Sequence, residues 1–163
     1  MKIKSIILAA FLFSGLFLNA QKVAHIDAEK LLSLMPEKNA VEKTLIDETN
    51  KHKIAIENMQ KEFQTVYTKY EQEASKVTAE VNQKRGKELQ DKQKKVSDYQ
   101  QIASKEIAKK EEELNKPILQ KAQNAINEIA KEKGYDYVLL SNSLVVANGP
   151  DLIEAVKVKL GIK

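Results

Sequence analysis

Cysteine is absent from the 163-residue chain, and so is tryptophan. The lack of cysteine excludes disulfide bonds and thiolate metal sites. Aromatic residues make up only 6% of the chain, which argues against one large hydrophobic core. Glycine and proline are also scarce, with five and three residues. Such a composition favours long helices with little interior.

The sequence also lacks the motifs of common enzymes. It contains no glycine-rich phosphate loop, no H-E-x-x-H pair and no nucleophile elbow, so no motif supports ATP use or hydrolysis. His25 and His52 are isolated histidines, and we predict structural roles for both. The acidic run from Glu111 to Glu113 is most simply a solvated helical face, because a metal would need an inward-facing cluster. We therefore expect no enzyme activity, no cofactor and no metal site.

The first twenty residues have the pattern of an export signal. Lys2 and Lys4 form a basic start, residues 6–18 form an apolar stretch, and Ala20 is a small residue at the predicted cleavage point. The apolar stretch is shorter than the about 20 residues that a membrane-spanning helix requires. A retained anchor stays the alternative, because Leu18 is not the small residue that cleavage sites prefer. We predict a signal peptide over residues 1–20 that is cleaved near Ala20.

The charge balance argues against a nucleic-acid partner. Without Lys2 and Lys4 the chain has 25 basic and 23 acidic residues, a net charge of +2. Residues 37–116 contain 17 basic and 16 acidic residues, whereas a nucleic-acid-binding protein normally has a denser basic face. We therefore expect no binding of nucleic acid.

A long stretch of helix-forming sequence dominates the chain. Between residues 37 and 133 only Gly86 and Pro117 interrupt a sequence rich in lysine, glutamate, glutamine and alanine. An apolar seam with the 3,4 spacing of coiled coils runs along its first half, and a weaker seam along its second half. The seam residues are Leu45, Thr49, His52, Ile56, Met59, Phe63, Val66, Tyr70, Glu73 and Val77, then Leu89, Val96, Tyr99, Ala103, Ile107 and Leu114.

A helix with one apolar stripe must bury it, and the shortest solution is an antiparallel hairpin. Two positions for the turn are open: Gly86, near the midpoint, and residues 75–78 with Thr78 as N-cap. We favour the second, because a lone glycine inside a helix costs only about 1 kcal/mol. The predicted arm is therefore an antiparallel coiled-coil hairpin of residues 37–116 with its tip near residues 75–86.

Two shorter regions flank this arm. Residues 22–27 alternate like a strand, and Asp27 can cap a short helix, Ala28–Leu34. At the other end, Pro117 is expected to bend or break the returning helix, and Gly134 to cap it. These flanks, residues 21–36 and 117–163, form the predicted body of a mostly α-helical fold with a small β-sheet.

The carboxyl-terminal flank contains two apolar runs that we predict to be strands. Residues 135–140 and 144–147 are expected to form a β-hairpin around a turn at residues 141–143, and Pro150 to start a last helix. Both strands are apolar on both faces, and one small subunit cannot cover them. We therefore predict a symmetric oligomer that buries these faces between copies. The predicted oligomerisation residues are Val23, Ile26, Tyr135, Tyr137, Leu139, Leu144 and Val146.

The two flanks resemble a known family. The segments KVAHIDAEKLLSLMPEKNAVEKTL (residues 22–45) and KPILQKAQNAINEIAKEKGYDYVLLSNSLVVANGPDLIEAV (residues 116–156), separated by a long polar hairpin, look like the Skp (OmpH) family of periplasmic chaperones. One departure is Ile153, where the family usually has threonine. The resemblance implies a jellyfish-like homotrimer in the periplasm that holds unfolded outer-membrane proteins between helical arms without ATP.

The arm supplies the candidate client-binding residues. Residues 76–95 contain seven basic and three acidic residues, with few apolar ones, so we expect a mobile tip. The simplest interpretation is solubility; the functional one is capture of acidic client segments, anionic lipid or lipopolysaccharide, because clustered charge raises encounter rates. We expect neutralisation of Lys84, Arg85 and Lys87 to slow client capture. The candidates are Lys76, Lys84, Arg85, Lys87, Lys92, Lys94, Lys95, Met59, Phe63, Tyr67, Tyr70 and Tyr99.

A second class of function is purely structural. An exported coiled-coil spacer or adaptor of the cell envelope would have the same amphipathic hairpin. The two-faced strands and the family resemblance argue against it. The two hypotheses differ in one measurable property, because only a chaperone keeps an unfolded outer-membrane protein soluble.

Overall fold

The computed structural model describes residues 21–162, so the predicted signal peptide lies outside the described residues. The chain divides into two compact units. We call residues 21–31 with 122–162 the body unit and residues 32–121 the arm unit. These limits differ by five residues from the predicted arm, which spans residues 37–116.

Six regular elements make up the described chain, and most of it is helical, as predicted. Two long helices, α2 and α3, are joined by a short 3-10 turn at Ala74–Lys76, and a second 3-10 turn, Ser141–Ser143, follows the second strand. The elements in order are β1 Val23–Ile26, α1 Ala28–Leu34, α2 Pro36–Glu73, α3 Ala79–Lys133, β2 Tyr137–Leu140 and α4 Ile153–Leu160.

The turn between α2 and α3 lies where the capping argument places it. The backbone N–H of Val81 donates to Thr78 Oγ1 at 3.3 Å, so Thr78 is the N-cap of α3. The side-chain amide of Asn82 donates to the carbonyl of Ala74 at 2.9 Å, which ties the start of α3 to the end of α2. Gly86 is an ordinary residue inside α3, so the alternative turn at Gly86 is wrong.

The two long helices pair in antiparallel fashion along the predicted seam. Of the ten seam positions on α2 and the turn, all but Thr49 are at least half-buried. Val96 and Ala103 on α3 are buried, with 4% exposure each. Lys38 Nζ donates to Asn115 Oδ1 at 2.8 Å at one end of the hairpin, and Arg85 contacts Glu73 at the other end. Residues far apart in sequence therefore meet in a coiled-coil register.

Pro117 does not break α3, which continues to Lys133. The ring of Pro117 is exposed, while Ile118 and Ala122 beside it are buried. Proline costs a helix about 3 kcal/mol, and burial of the apolar residues that follow it offsets this cost. The helix then ends as predicted at Gly134, whose φ of 69° is in the left-handed region.

The body sheet differs from the predicted β-hairpin. β2 pairs with β1 in parallel, with Val23 opposite Tyr137 and Ile26 opposite Leu140, and residues 144–147 form no strand. A tight hairpin needs turn residues with positive φ, and among the described residues only Gly134 and Gly161 have it. The chain instead makes a 3-10 turn at Ser141–Ser143 and leaves the sheet.

The other edge of β1 is covered by residues 150–152. The N–H of His25 donates to the carbonyl of Pro150 at 2.9 Å, and the N–H of Leu152 donates to the carbonyl of His25 at 3.0 Å. The His25 ring lies 3.0 Å from both Ser141 Oγ and the Gly149 carbonyl, which confirms its structural role. No strand among residues 21–162 pairs with the outer edge of β2.

The last helix begins later than predicted, at Ile153 rather than Pro150. Asp151 lies in a bridge with His25, and its side chain accepts the N–H of Ile153 at 2.9 Å. Lys159 Nζ joins α4 to α3 through Glu128 at 2.8 Å and Glu132 at 2.9 Å. These two carboxylates raise the pKa of Lys159 above its ordinary value.

The core of the body unit is small and aliphatic. It packs the sheet against α1, α4 and the last turns of α3. Ile26, a predicted oligomerisation residue, is only 1% exposed; it belongs to this core and has no surface left for another subunit. The buried residues of this unit are Ala24, His25, Ile26, Leu31, Ala122, Ala125, Ile126, Ile129, Leu152, Ile153 and Val156.

Candidate functional site

The basic residues of the tip fall into two groups. Lys76, Lys84, Lys87, Lys94 and Lys95 are exposed, as expected for residues that meet a charged partner. Lys84 and Lys94 form exposed pairs with Glu80 and Asp98 one helical turn away, and such pairs contribute little to stability. These five lysines remain available to a ligand.

Arg85 and Lys92 instead connect the two helices. Arg85 Nη2 donates to Glu73 Oε2 at 2.6 Å, and its guanidinium lies 4.5 Å from the centre of the Tyr70 ring. Only 18% of the Arg85 side chain is exposed. The Tyr70 hydroxyl donates to Glu88 Oε2 at 2.6 Å, and this carboxylate is the largest cause of a raised Tyr70 pKa. Arg85 and Tyr70 therefore connect α2 to α3 at the tip.

This contact network leads to a prediction about Arg85. Arg85→Met removes both the ion pair and the cation–π contact, which together are worth about 1–2 kcal/mol at a partly buried site. Amide hydrogen exchange over residues 70–90 is then expected to accelerate by about 5- to 30-fold. Lys84→Met, which loses only an exposed pair, is the control and should leave the exchange unchanged. Equal protection in both variants would show that Arg85 does not hold the tip.

Lys92 forms the second connection between the two helices, and the strength of this connection depends on pH. Lys92 Nζ donates to Glu62 Oε1 at 2.6 Å. This hydrogen bond is the largest cause of both a lowered Glu62 pKa and a raised Lys92 pKa. The pair therefore stabilises the arm between the ordinary pKa of glutamate, about 4.3, and that of lysine, about 10.4. Its contribution is lost on the acid side as Glu62 takes up a proton.

The corresponding prediction concerns Glu62→Gln. At pH 7 the variant is expected to melt at a lower temperature than the wild type, because the charged pair is gone. The difference is expected to shrink as the pH falls through the lowered pKa of Glu62 and to disappear once the wild-type carboxyl is protonated as well. Thermal melts followed by circular dichroism over a series of pH values, from 7 into the acid range, make the measurement. A difference that is the same at every pH would assign it to packing rather than to charge.

The candidate aromatic residues and Met59 are mostly part of the hairpin seam. Met59, Phe63, Tyr70 and Tyr99 are half-buried in the seam, and only Tyr67 is exposed, at 42%. The rings of Phe63 and Tyr67 stack with their centres 6.2 Å apart. These residues stabilise the arm first, and Tyr67 offers the most surface to a ligand.

His52 occupies the predicted polar position in the seam. The Tyr99 hydroxyl lies 3.1 Å from His52 Nδ1, and Glu106 Oε2 lies 3.5 Å from Nε2. Glu48, Ile107 and Lys110 line the same small cavity of about 170 Å³. The histidine therefore joins α2 to two positions on α3, two turns apart, and this is a structural role.

The arm also contains a groove that sequence reasoning missed. Its two adjoining parts have volumes of about 630 and 470 Å³ and share Thr49 as a lining residue. Ile46, which is 52% exposed, lines the larger part. The only sequence signal is that Ile46 is apolar while it lies beside the seam rather than in it.

The body unit exposes a set of apolar side chains. Tyr137 is 52% exposed and Leu139 is 42% exposed on β2, and Val23 on β1 is 42% exposed. In the extended segment after β2, Val146 is 68% exposed. Tyr135 and Leu144 are half-buried. Six of the seven predicted oligomerisation residues therefore keep apolar surface, Ile26 being the exception. Two of them, Tyr137 and Leu139, lie on β2, whose outer edge pairs with no described strand.

Among residues 21–162, no histidine, cysteine, aspartate or glutamate side chains group in threes in a way that could hold a metal ion. None of the helices in the same range combines the length and the hydropathy that crossing a membrane requires.

The described chain is mostly helical, with one long antiparallel arm and a two-stranded sheet. This confirms the predicted fold class, and similar sequences support the same class. The chain belongs to the family described as outer membrane protein (OmpH-like), which matches residues 22–160. It is 24% identical over 134 residues to the chaperone protein Skp of Pectobacterium atrosepticum. The alignment covers 82% of this chain and 81% of that protein. It is 23% identical over 129 residues to the Skp chaperone of Yersinia enterocolitica, with 79% of each chain covered.

A solved structure agrees with these relatives. The crystal structure of an outer membrane chaperone (OmpH-like) from Caulobacter crescentus superposes with a TM-score of 0.73 over 86% of this chain and 84% of that chain, at 14% identity. The structural likeness shows that the two proteins share a fold. Together with the family match, the sequence relatives support a chaperone role for this chain.

Proposed function

We propose that this protein is an ATP-independent holdase that works in the periplasm and keeps unfolded outer-membrane proteins from aggregating. The observation that carries the proposal is the match to chaperone relatives across nearly the whole described chain, in a fold that leaves apolar side chains exposed on both units. A holdase needs surfaces that make many weak, adaptable contacts. It needs no catalytic residue, and we propose no enzyme activity and no cofactor.

We further propose that the working form is a homotrimer assembled through the body unit. Exposed apolar residues beside an unpaired strand edge are a liability in a lone subunit. Copies of the same chain can cover both the edge and the apolar side chains in a closed symmetric assembly. Clients are then held in a cavity between the arms of the three subunits.

The experiment is an aggregation assay with an unfolded outer-membrane protein diluted from urea. At one trimer per client, the protein is expected to suppress light scattering without ATP. Bovine serum albumin at equal mass is the control for crowding and nonspecific adsorption. Undiminished scattering would favour the alternative function, a structural spacer of the envelope.

The exposed lysines of the tip are proposed to speed the first encounter with a client or with anionic lipid. Replacing Lys76, Lys84 and Lys87 by glutamine is expected to slow client association several-fold at low salt, because the steering charge is lost. The effect should vanish above about 0.5 M salt, where screening is strong. Stopped-flow fluorescence of a labelled client measures the rate.

The control for this experiment removes the same charge elsewhere on the arm. Lys43, Lys61 and Lys69 are exposed on α2, and their replacement by glutamine should leave the association rate nearly unchanged. An equal slowing in the two triple variants would assign the effect to net charge rather than to the tip. Arg85 is spared, because its replacement would also open the tip.

A further inference from the structure

We propose that the groove on one side of the arm binds a single extended strand of an unfolded polypeptide, about as long as one transmembrane β-strand. We name its two parts together the arm groove; they are lined by Ser33 of α1, by residues between Lys38 and Gln60 of α2 and by residues between Gln100 and Asn115 of α3. This inference rests on the proposed chaperone function and assigns client binding to one surface. The sequence pattern had directed attention to the tip instead.

The arm groove has a largely apolar floor between charged rims. The rims contain both signs, with Lys38 and Lys53 against Glu42, Glu57 and Glu111. A ligand of either net charge would meet like charges along the rim, whereas an uncharged apolar segment meets none. The floor residues are Leu45, Ile46, Thr49, His52, Ile56, Ala103 and Ile107.

A third cavity of the arm is less suited to the same ligand. It shares His52 and Ile107 with the smaller part of the groove, but its other lining residues are Glu48, Glu106 and Lys110, and its volume is only about 170 Å³. Burying these charged groups under an apolar segment would cost their hydration without replacing it. The arm groove therefore offers an apolar chain more uncharged surface than this cavity does.

The length of the groove suggests the size of the occupant. From Lys38 to Gln60 the helix advances 22 residues, or about 33 Å at 1.5 Å per residue. A strand of that length contains about ten residues at 3.3 Å each, and a transmembrane β-strand contains about 9–11. Such strands alternate apolar and polar side chains. One face of the strand would then lie on the largely apolar floor while the polar face stays in water.

The absence of cysteine allows a direct test with single labels. Ile46 in the groove and Ile54 outside it are 52% and 57% exposed, so Ile46→Cys and Ile54→Cys form a matched pair for an environment-sensitive fluorophore. The probe is a ten-residue peptide of alternating valine and threonine. Its control has the same composition, with the five valines together.

The alternating peptide is expected to give a saturable signal at position 46 and none at position 54. The blocked peptide should bind at least ten-fold more weakly, because only part of its apolar surface can face the groove. Equal responses at the two positions, or equal affinities of the two peptides, would overturn the proposal. A concentration-dependent signal at position 46 without peptide would show that a second copy of the chain fills the groove, and would overturn it as well.

A second experiment separates this inference from the proposed function. Ile46→Glu is expected to raise the protein concentration needed for half-maximal suppression of client aggregation at least three-fold, whereas Ile54→Glu should match the wild type. Both side chains are exposed, and equal melting temperatures verify that the variants are folded. If Ile46→Glu protects as well as Ile54→Glu, the groove assignment is wrong and the holdase function stands. If the wild type itself does not protect, the holdase function is wrong.

Discussion

The double variant Tyr137→Glu, Val146→Glu is expected to exist as single subunits at micromolar concentration, with a mass one third that of the wild type. Both side chains are more than half exposed in the body unit and contribute apolar surface to the proposed contact. Two carboxylates there would have to be desolvated without partners, at a cost of several kcal/mol per subunit. Light scattering coupled to gel filtration measures the mass.

The control for this variant places the same two charges on the arm. Ile54 and Ile102 are 57% and 50% exposed, and their replacement by glutamate is expected to leave the assembly intact. Loss of assembly should also weaken protection of clients, because a single arm encloses no cavity and keeps only its own groove. If the wild-type protein is itself a single subunit at this concentration, both the assembly proposal and this prediction are wrong.

Leu31→Ala is expected to give the largest loss of stability from a single substitution, about 2–5 kcal/mol. Leu31 is completely buried in the body unit, at 0% exposure, and its truncation leaves a cavity in a core too small to refill it. Leu34, on the same helix, is 39% exposed. Leu34→Ala is therefore the matched control and should change the free energy of unfolding by about 0.5 kcal/mol or less.

Urea unfolding followed by circular dichroism at 222 nm gives both values. Because an oligomer unfolds in a concentration-dependent way, the two variants must be compared at the same subunit concentration. Similar free energies of unfolding for Leu31→Ala and Leu34→Ala would mean that α1 is not anchored through Leu31.

The arm could be predicted from the sequence because its determinants are local and periodic. The 3,4 seam identifies which face of α2 is buried, and Thr78 marks the start of α3 by its own side-chain cap. The same local reasoning correctly ends α1 at Leu34 and places Gly134 directly after the end of α3. Each of these features depends on residues within one or two helical turns.

The sheet could not be predicted in this way, because β2 has a partner more than one hundred residues away. Two neighbouring apolar runs suggested a hairpin, whereas the edge of β1 was available to β2 in parallel. The ion pairs of Arg85 and Lys92 could not be predicted for a similar reason. Their partners Glu73 and Glu62 lie on the other helix, and the pairing depends on a register that the sequence alone does not specify.

The parallel pairing of β1 with β2 makes the whole helical arm a crossover connection between two adjacent strands. The chain leaves β1 at Ile26 and returns at Tyr137, so the arm is topologically an insertion. Lengthening α2 and α3 together by whole heptads would keep the seam continuous and leave the strand register untouched. Chain-closure entropy rises only slowly with such additions. The length of the arm can thus change, in evolution or by design, without any change in the sheet of the body unit.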